Sequence, residues 1–267
     1  MDLRLDLSQA EGKTSPSQIA GTLTEHWVGR EMFCLACPGD SLTPTKRGTP
    51  SRDFNCGSCH EPYELKATYR GFGHLVPDGA FHTMLSTVRS GRSPNLLLLQ
   101  YDRSDWSVRD LAAIHRTLLS AATIVPRKHR LAATARRAGW LGCSIDIAKL
   151  PTEARIPIVE DRAPRPESSI RDQWSRFGFM VRLRPGNRGW LADTLSAVSR
   201  FGSHQPFRLS EVYQFEAELS ELHPGNRNVR PKIRQQLQIL VTNGLIRRIQ
   251  PGVYERVESR FPSKAPA

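Results

Sequence analysis

Asp53-Phe54-Asn55-Cys56-Gly57-Ser58-Cys59-His60-Glu61-Pro62-Tyr63-Glu64-Leu65-Lys66-Ala67 joins a cysteine knuckle to an acidic-and-lysine strand. How this stretch folds decides the architecture. On an extended strand Glu64 and Lys66 share one face, while Tyr63, Leu65 and Ala67 point to the other, the expected core side. If the knuckle Cys56-x-x-Cys59 acts as the turn of a hairpin, Asp53 folds back beside Glu64. Two converging carboxylates form a hard-oxygen site of the kind magnesium takes, with the Leu65 carbonyl as a third protein ligand. Phosphodiester hydrolysis needs an activated water and charge neutralisation on the scissile phosphate, and Lys66 is placed to orient the one and supply part of the other. Taken alone, Asp-x10-Glu-x-Lys also fits solvated charges on a strand.

Upstream, Cys34-x-x-Cys37 is separated from Cys56-x-x-Cys59 by eighteen residues. That spacing predicts a four-cysteine zinc site of Cys34, Cys37, Cys56 and Cys59, with each pair presenting two thiolates. Four thiolates leave no open coordination position, so the expected zinc is structural. The competing readings are free thiols or a redox pair, and His60 in place of Cys59. Cys143 is left over and is expected to be an ordinary buried thiol.

Composition narrows the partner. The chain of 267 residues carries 38 Lys+Arg against 26 Asp+Glu, a formal charge of +12, which favours a polyanion. The alternating Met1-Asp2-Leu3-Arg4-Leu5-Asp6-Leu7 is unlike a signal peptide, so a cytoplasmic location is expected. Five cysteines in such a compartment suit metal ligation better than disulfides. No apolar run approaches the roughly 20 residues that cross a bilayer.

The length suits two domains, and the chain punctuates itself accordingly. Ser15-Pro16-Ser17-Gln18 predicts a capped helix start with a capping box, followed by the stripe Ile19, Leu23, Trp27. Glu25 on that helix is either an aid at the metal or an exposed carboxylate. Asp78 is expected to cap a helix burying Phe81, Met84, Leu85 and Val88, and Asn95 to Tyr101 reads as a strand buried on both faces. Trp106 to Ile124 is ambiguous. Arg184-Pro185-Gly186-Asn187 reads as a linker, dividing the chain into 1–183 and 184–267. The tail at 262–267 is expected to fray.

Gly189 to Arg256 has the order of a winged helix-turn-helix: three helices and a hairpin. Leu191, Leu195 and Val198 form the first apolar stripe, and Ser210 is expected to cap a second helix burying Val212, Phe215, Leu219 and Leu222. The third runs from about Val229 to Thr242 with Ile233, Leu237, Leu240 and Val241 inward and Asn243-Gly244 as its stop. Its outer face shows Lys232, Gln235 and Gln238, flanked by Arg230 and Arg234. Glutamine pairs with adenine and arginine with guanine in the major groove, while Arg247 and Arg248 on the wing suit phosphates. The alternative is a module for protein contacts whose charges are a solvated face. Earlier in the chain, Arg136, Arg137 and Trp140 stand among glycines in Ala135 to Gly142, as a base wedge with phosphate-binding arginines or as simple packing.

Leu23 to Val28, both knuckles, Asp53-Phe54, Tyr63 to Lys66, Ala132 to Gly142 and Ile233 to Gln238 together resemble the DpnI-type methyl-directed restriction endonucleases. The resemblance implies an α/β PD-(D/E)xK nuclease domain with a zinc site, a C-terminal winged helix, and magnesium-dependent cleavage of double-stranded DNA at GATC carrying methylated adenine. It carries catalytic roles to Asp53, Glu64 and Lys66, magnesium ligation to Asp53 and Glu64, and zinc ligation to the four paired cysteines. Trp140 is expected in a methyladenine pocket, with the third C-terminal helix reading the site a second time. The rival is a zinc-ribbon and winged-helix transcription regulator without catalysis. The oligomeric state stays open, a monomer included.

Overall fold

The computed structural model describes residues 1–46, 49, 52–132, 134–202 and 204–257, so the tail at 262–267 lies outside the described residues. In chain order the elements are α1 (Pro16–Glu31), β1 (Leu42–Pro44), β2 (Phe54–Cys56), β3 (Pro62–Thr68), β4 (Leu75–Ala80), α2 (Phe81–Arg89), β5 (Asn95–Asp102) and β6 (Ser107–Ile114). Then follow β7 (Ile124–Pro126), β8 (Gly142–Asp146), β9 (Arg155–Glu160), β10 (Ala163–Pro164), α3 (Glu167–Ser175), α4 (Gly178–Val181) and α5 (Pro185–Ser199). The last are β11 (Phe207–Arg208), α6 (Leu209–Val212), α7 (Glu216–Leu222), α8 (Val229–Thr242), β12 (Ile246–Gln250) and β13 (Val253–Arg256). They form two compact units, one of Met1–Val76, Ser93–Arg116 and Arg155–Ser175, the other of Pro77–Arg92, Thr117–Ala154 and Arg176–Ala267.

The first unit is built on a seven-stranded sheet in the order β1-β2-β3-β5-β6-β9-β10. The β3–β5 pair is parallel, with Tyr63 opposite Asn95 and Lys66 opposite Leu98; the other pairings are antiparallel. A parallel pair needs a long crossover, and the chain between Thr68 and Asn95 supplies it. As the leucine run predicts, Leu96 to Leu99 are all at most 1% exposed. Each such side chain contributes about 1.5–3 kcal/mol by burial. The ambiguous segment after Trp106 becomes β6, which pairs along β5, followed by short 3-10 turns.

Helix α1 packs Leu23 and Trp27 fully inward, and the Trp27 indole donates to the Asp2 carbonyl at 2.8 Å. Its expected capping box does not form. Pro16 takes the first helical position, but the Ser15 hydroxyl is shared with Ser17 Oγ at 3.0 Å and bonds no backbone N–H.

In the second unit, the small sheet β4-β8-β7 accompanies α2, which buries Met84 and Val88. Asp78 is not its cap: it lies within β4, its carboxylate accepts from Gly79 N at 2.7 Å, and Ala80 takes the cap position. Arg184 to Asn187 is not an extended linker either. Arg184 caps α5 and Pro185 opens it, because a missing N–H costs nothing at a first helical position.

The helical order expected after Gly189 is present. Leu191, Leu195 and Val198 of α5 are buried, as are Ile233, Leu237 and Leu240 of α8, while Val241 is only partly so. Gly244, at φ +68°, stops α8. The middle helix is broken into α6, a 3-10 turn at Tyr213–Phe215, and α7. Ser210 sits inside α6. The helix starts earlier because β11 pairs with β13, and Glu211 accepts from the Arg208 backbone N–H at 2.6 Å. The β12–β13 hairpin, turning at Gly252 (φ +74°), completes the wing. Among the described residues no helix is long and apolar enough to cross a membrane.

Candidate active site and metal centre

The second knuckle is the turn of the hairpin. Phe54 pairs with Tyr63 and Asn55 with Pro62; Cys56 N donates to Glu61 O, and His60 N returns to Cys56 O, both at 3.0 Å. His60 takes φ +60°, the left-handed conformation that lets so short a loop close. Beyond the last rung the strands part. Asp53 N donates to Tyr63 O at 2.9 Å, and the Asp53 carboxylate accepts from Leu65 N at 2.8 Å. Asp53 therefore bonds the backbone of the residues on either side of Glu64 in the chain.

Glu64 is 9% exposed, and its Oε1 accepts from Lys66 Nζ at 2.6 Å. Burial along β3 is not the clean alternation expected: Tyr63 is fully buried, Leu65 only partly, and Ala67 is exposed. The physical reason is that the sheet opens here into a cleft of about 460 Å³. Asp53, Leu65 and Ala67 line it from the sheet, Glu25 from α1, and Tyr69, Tyr101 and Arg103 from the ends of β3 and β5. A second oxygen on Asp53 bonds nothing among the described residues, so the carboxylate has capacity for a hard cation.

The four paired cysteines converge, their Sγ atoms all within 4.8 Å of one another. Cys34 and Cys59 stand 3.6 Å apart and Cys37 and Cys56 3.5 Å apart. Four thiolates at about 2.3 Å around a tetrahedral ion stand about 3.8 Å from one another, so the group fits a metal ion such as zinc. His60 lies outside the group. Burial pushes the Cys56 thiol up, but backbone N–H bonds from Cys59 and Ser58, together with the neighbouring thiols, outweigh it and bring Cys56 down to about 6. A side chain at Gly39 would press to 3.1 Å from Cys56 Sγ and 3.3 Å from Cys37 Sγ, so glycine keeps the first knuckle closed around the sulfurs.

Several supports were not visible in the sequence. The Tyr63 hydroxyl accepts from Leu35 N at 3.0 Å and lies 3.4 Å from Cys34 Sγ, tying β3 to the first knuckle. Burial holds that phenol well above its ordinary range, so it stays protonated. Arg171 of α3 donates to the carbonyls of Cys34 (2.6 Å) and Cys37 and pairs with Glu167, clasping the knuckle from 134 residues away. Arg116 reaches Glu61 at 2.6 Å, and Asn95 Nδ2 reaches the same carboxylate at 3.1 Å, fixing the hairpin end. Only distance along the chain hid these partners.

The expected DNA-facing residues belong to the second unit. On α8, Arg230, Arg234, Gln235 and Gln238 are exposed and Lys232 partly so, while Gln236 is 1% exposed and inward. Arg230 pairs with Glu216 at 2.7 Å, Arg234 with the Tyr213 hydroxyl at 2.9 Å, and Lys232 with Gln235 at 2.9 Å. On the wing both Arg247 and Arg248 are exposed, and Arg247 pairs with Glu255. Arg136 and Arg137 are exposed in the turn before Trp140, whose half-buried ring covers Gly142 so closely that a Cβ there would meet it at 2.8 Å. Cys143 is buried, and its thiol donates to Gly79 O at 3.4 Å.

The family model described as DpnI, Dam-replacing family, matches residues 1–182. The one described as the Dam-replacing HTH domain matches residues 186–256.

Proposed function

We propose that this chain, which belongs to the Dam-replacing DpnI family, is a type II methyl-directed endonuclease that hydrolyses phosphodiester bonds of double-stranded DNA at sites carrying methylated adenine, GATC foremost. Residues 1–183 would carry the nuclease and 184–267 a second DNA-reading domain. The observation that carries the reading is Asp53 tied to the backbone on either side of Glu64, with Lys66 bonded to Glu64, on a hairpin whose Asp53 and Leu65 line the cleft.

Asp53, Glu64 and the Leu65 carbonyl would hold magnesium, a hard cation suited to carboxylate and carbonyl oxygen. When bound, it supplies polarisation of the scissile phosphate and neutralisation of the leaving oxygen. Lys66, steered by Glu64, orients the attacking water and sets a positive charge against the pentavalent phosphorane as it forms. Leu65 N holds the Asp53 carboxylate to the strand, so the two acids keep their spacing. Cys34, Cys37, Cys56 and Cys59 would hold a structural zinc that closes the hairpin turn.

Recognition would be divided. Trp140 with Arg136 and Arg137 would meet the methylated base and its backbone, and Arg230, Lys232, Arg234, Gln235 and Gln238 of α8 would read the site again, with Arg247 and Arg248 on phosphate. One buried methyl is worth about 0.8 kcal/mol, roughly fourfold, so two independent readings sharpen discrimination as one contact does not.

The test is digestion of matched plasmids, one from an adenine-methylating host and one unmethylated, with magnesium or with chelator. Fragments are expected from methylated DNA alone, only with magnesium, and not from Lys66→Ala. Trp140→Ala should weaken the methyl preference by about five- to 160-fold, a well-shaped pocket's 1–3 kcal/mol. If wild-type protein cuts neither plasmid yet binds both, the chain is a regulator and the catalytic reading fails.

A further inference from the structure

At the mouth of the cleft two guanidinium groups share one aromatic ring. Arg103 lies 4.8 Å from the centre of the Tyr69 ring and Arg70 5.1 Å from it. Both are within cation–π range. The Tyr69 hydroxyl also accepts from Arg70 Nε at 2.9 Å. Tyr69 is 40% exposed but does not stand alone: its ring lies 6.3 Å from that of Tyr101, which is 5% exposed and stacks on Trp106 at 5.7 Å. The two arginines are thus carried on a supported aromatic base.

Neither arginine has an ion-pair partner among the described residues, although acids stand close in sequence. Asp102 and Asp105 flank Arg103, yet both carboxylates are taken by Arg162, at 2.7 Å each, and by the hydroxyls of Ser104 and Ser107. The hydrogen bonds to Ser104 and Ser107, with Arg162 beside them, hold both acids below the usual carboxylate range. Arg162 in this way withdraws the nearby negative charge, and Arg103 keeps its N–H edge open. Tyr69 and Arg103 line the same cleft as Asp53. A phosphate entering beside carboxylates is repelled by them unless cations stand at the entrance.

We propose that Arg70 and Arg103, held on Tyr69 at the rim of the Asp53 cleft, clamp a backbone phosphate of the strand being cut, with Tyr69 as the positioning residue that spaces them. The clamp rests on the nuclease reading above. Guanidinium edges suit phosphate oxygens in bidentate geometry, and a guanidinium lying on a ring keeps its N–H edge for an anion.

The probe is duplex plasmid fragment from an adenine-methylating host, measured by anisotropy across a salt series with calcium replacing magnesium, and by cleavage kinetics with magnesium. Arg70→Ala and Arg103→Ala should each weaken binding about three- to tenfold and flatten the log K against log salt slope by about 0.9. KM should rise with kcat little changed. Tyr69→Ala should approach the double arginine variant, whereas Tyr69→Phe, which keeps the ring, should stay near wild type in slope. Arg109→Ala, an exposed arginine of β6, serves as the comparison. A wild-type enzyme that cuts, with a double variant of unchanged slope and KM, overturns the clamp alone. A wild-type protein that neither binds nor cuts this DNA overturns the nuclease reading and the clamp with it.

Discussion

The Asp53–Lys66 hairpin and the α8 face are both polar surfaces built on an apolar backing, but they hold their charges differently. At the hairpin, Asp53 is tied to the Leu65 backbone N–H and Lys66 to Glu64, on a strand anchored through the Tyr63 hydroxyl. On α8 the side chains proposed to read DNA lie exposed or half-exposed and are parked on neighbours: Arg230 on Glu216, Arg234 on Tyr213, Lys232 on Gln235. Exposed pairs of that kind are worth about 0–1 kcal/mol, so DNA can replace them cheaply. Catalysis needs geometry fixed before substrate arrives; recognition needs partners that can be exchanged.

The sharpest way to break that contrast is to remove what fixes the hairpin. Cys56→Ala deletes one of four thiolates at the turn itself. Structural zinc contributes folding free energy on the order of 10 kcal/mol, so loss of bound zinc by metal analysis, a melting point lower by about 10 °C or more, and no cleavage are expected. A variant that melts like wild type and still cuts would show that the hairpin holds itself without the knuckles.

A smaller effect is expected from changing chemistry while sparing the scaffold. Asp53→Asn keeps the shape and an acceptor for Leu65 N but removes the charge. Cleavage of methylated plasmid should fall by about 10²- to 10³-fold or more, with DNA affinity measured in calcium close to wild type, since the α8 face is untouched. Equal losses in cleavage and in binding would mean that the two surfaces are not separable in this way.

The two regions also differ in how far the sequence disclosed them. Helix α8 was legible to its ends, Val229 to Thr242, because Ile233, Leu237 and Leu240 repeat at helical spacing and Asn243-Gly244 stops the turn. The hairpin was legible because its partners are close in the chain: the knuckle spacing predicts the turn, and the turn returns Asp53 to Glu64. What closes around it was not. Arg171 finds Cys34 and Cys37, and Arg116 finds Glu61, through tertiary packing that leaves no periodic trace. Local hydrogen-bond competition was equally hidden: Ser15 turned to Ser17 and Asp78 to Gly79, and each forfeited the cap its residue type suggested. β11 was missed because two residues carry no alternation, yet its pairing with β13 moved the start of α6.

The smallest effects lie on the wing, where neighbouring arginines test the contrast within one strand. Arg247 and Arg248 are both exposed on β12, but Arg247 bonds Glu255, whose side chain is only 9% exposed, and Arg248 has no ion pair among the described residues. Arg248→Ala should therefore act on DNA alone, lowering the salt slope by about 0.9 and affinity about threefold, with the melting point unchanged. Arg247→Ala should act on the fold first, because Glu255 is left without its cation; a loss of about 1 kcal/mol, seen as a shift of roughly 2–4 °C, is expected. The ion pair already spends part of the Arg247 charge, so its share of the salt slope should be the smaller of the two. If the variants exchange these signatures, a free guanidinium is not what marks a phosphate contact on this wing, and the same criterion would have to be abandoned for Arg70 and Arg103.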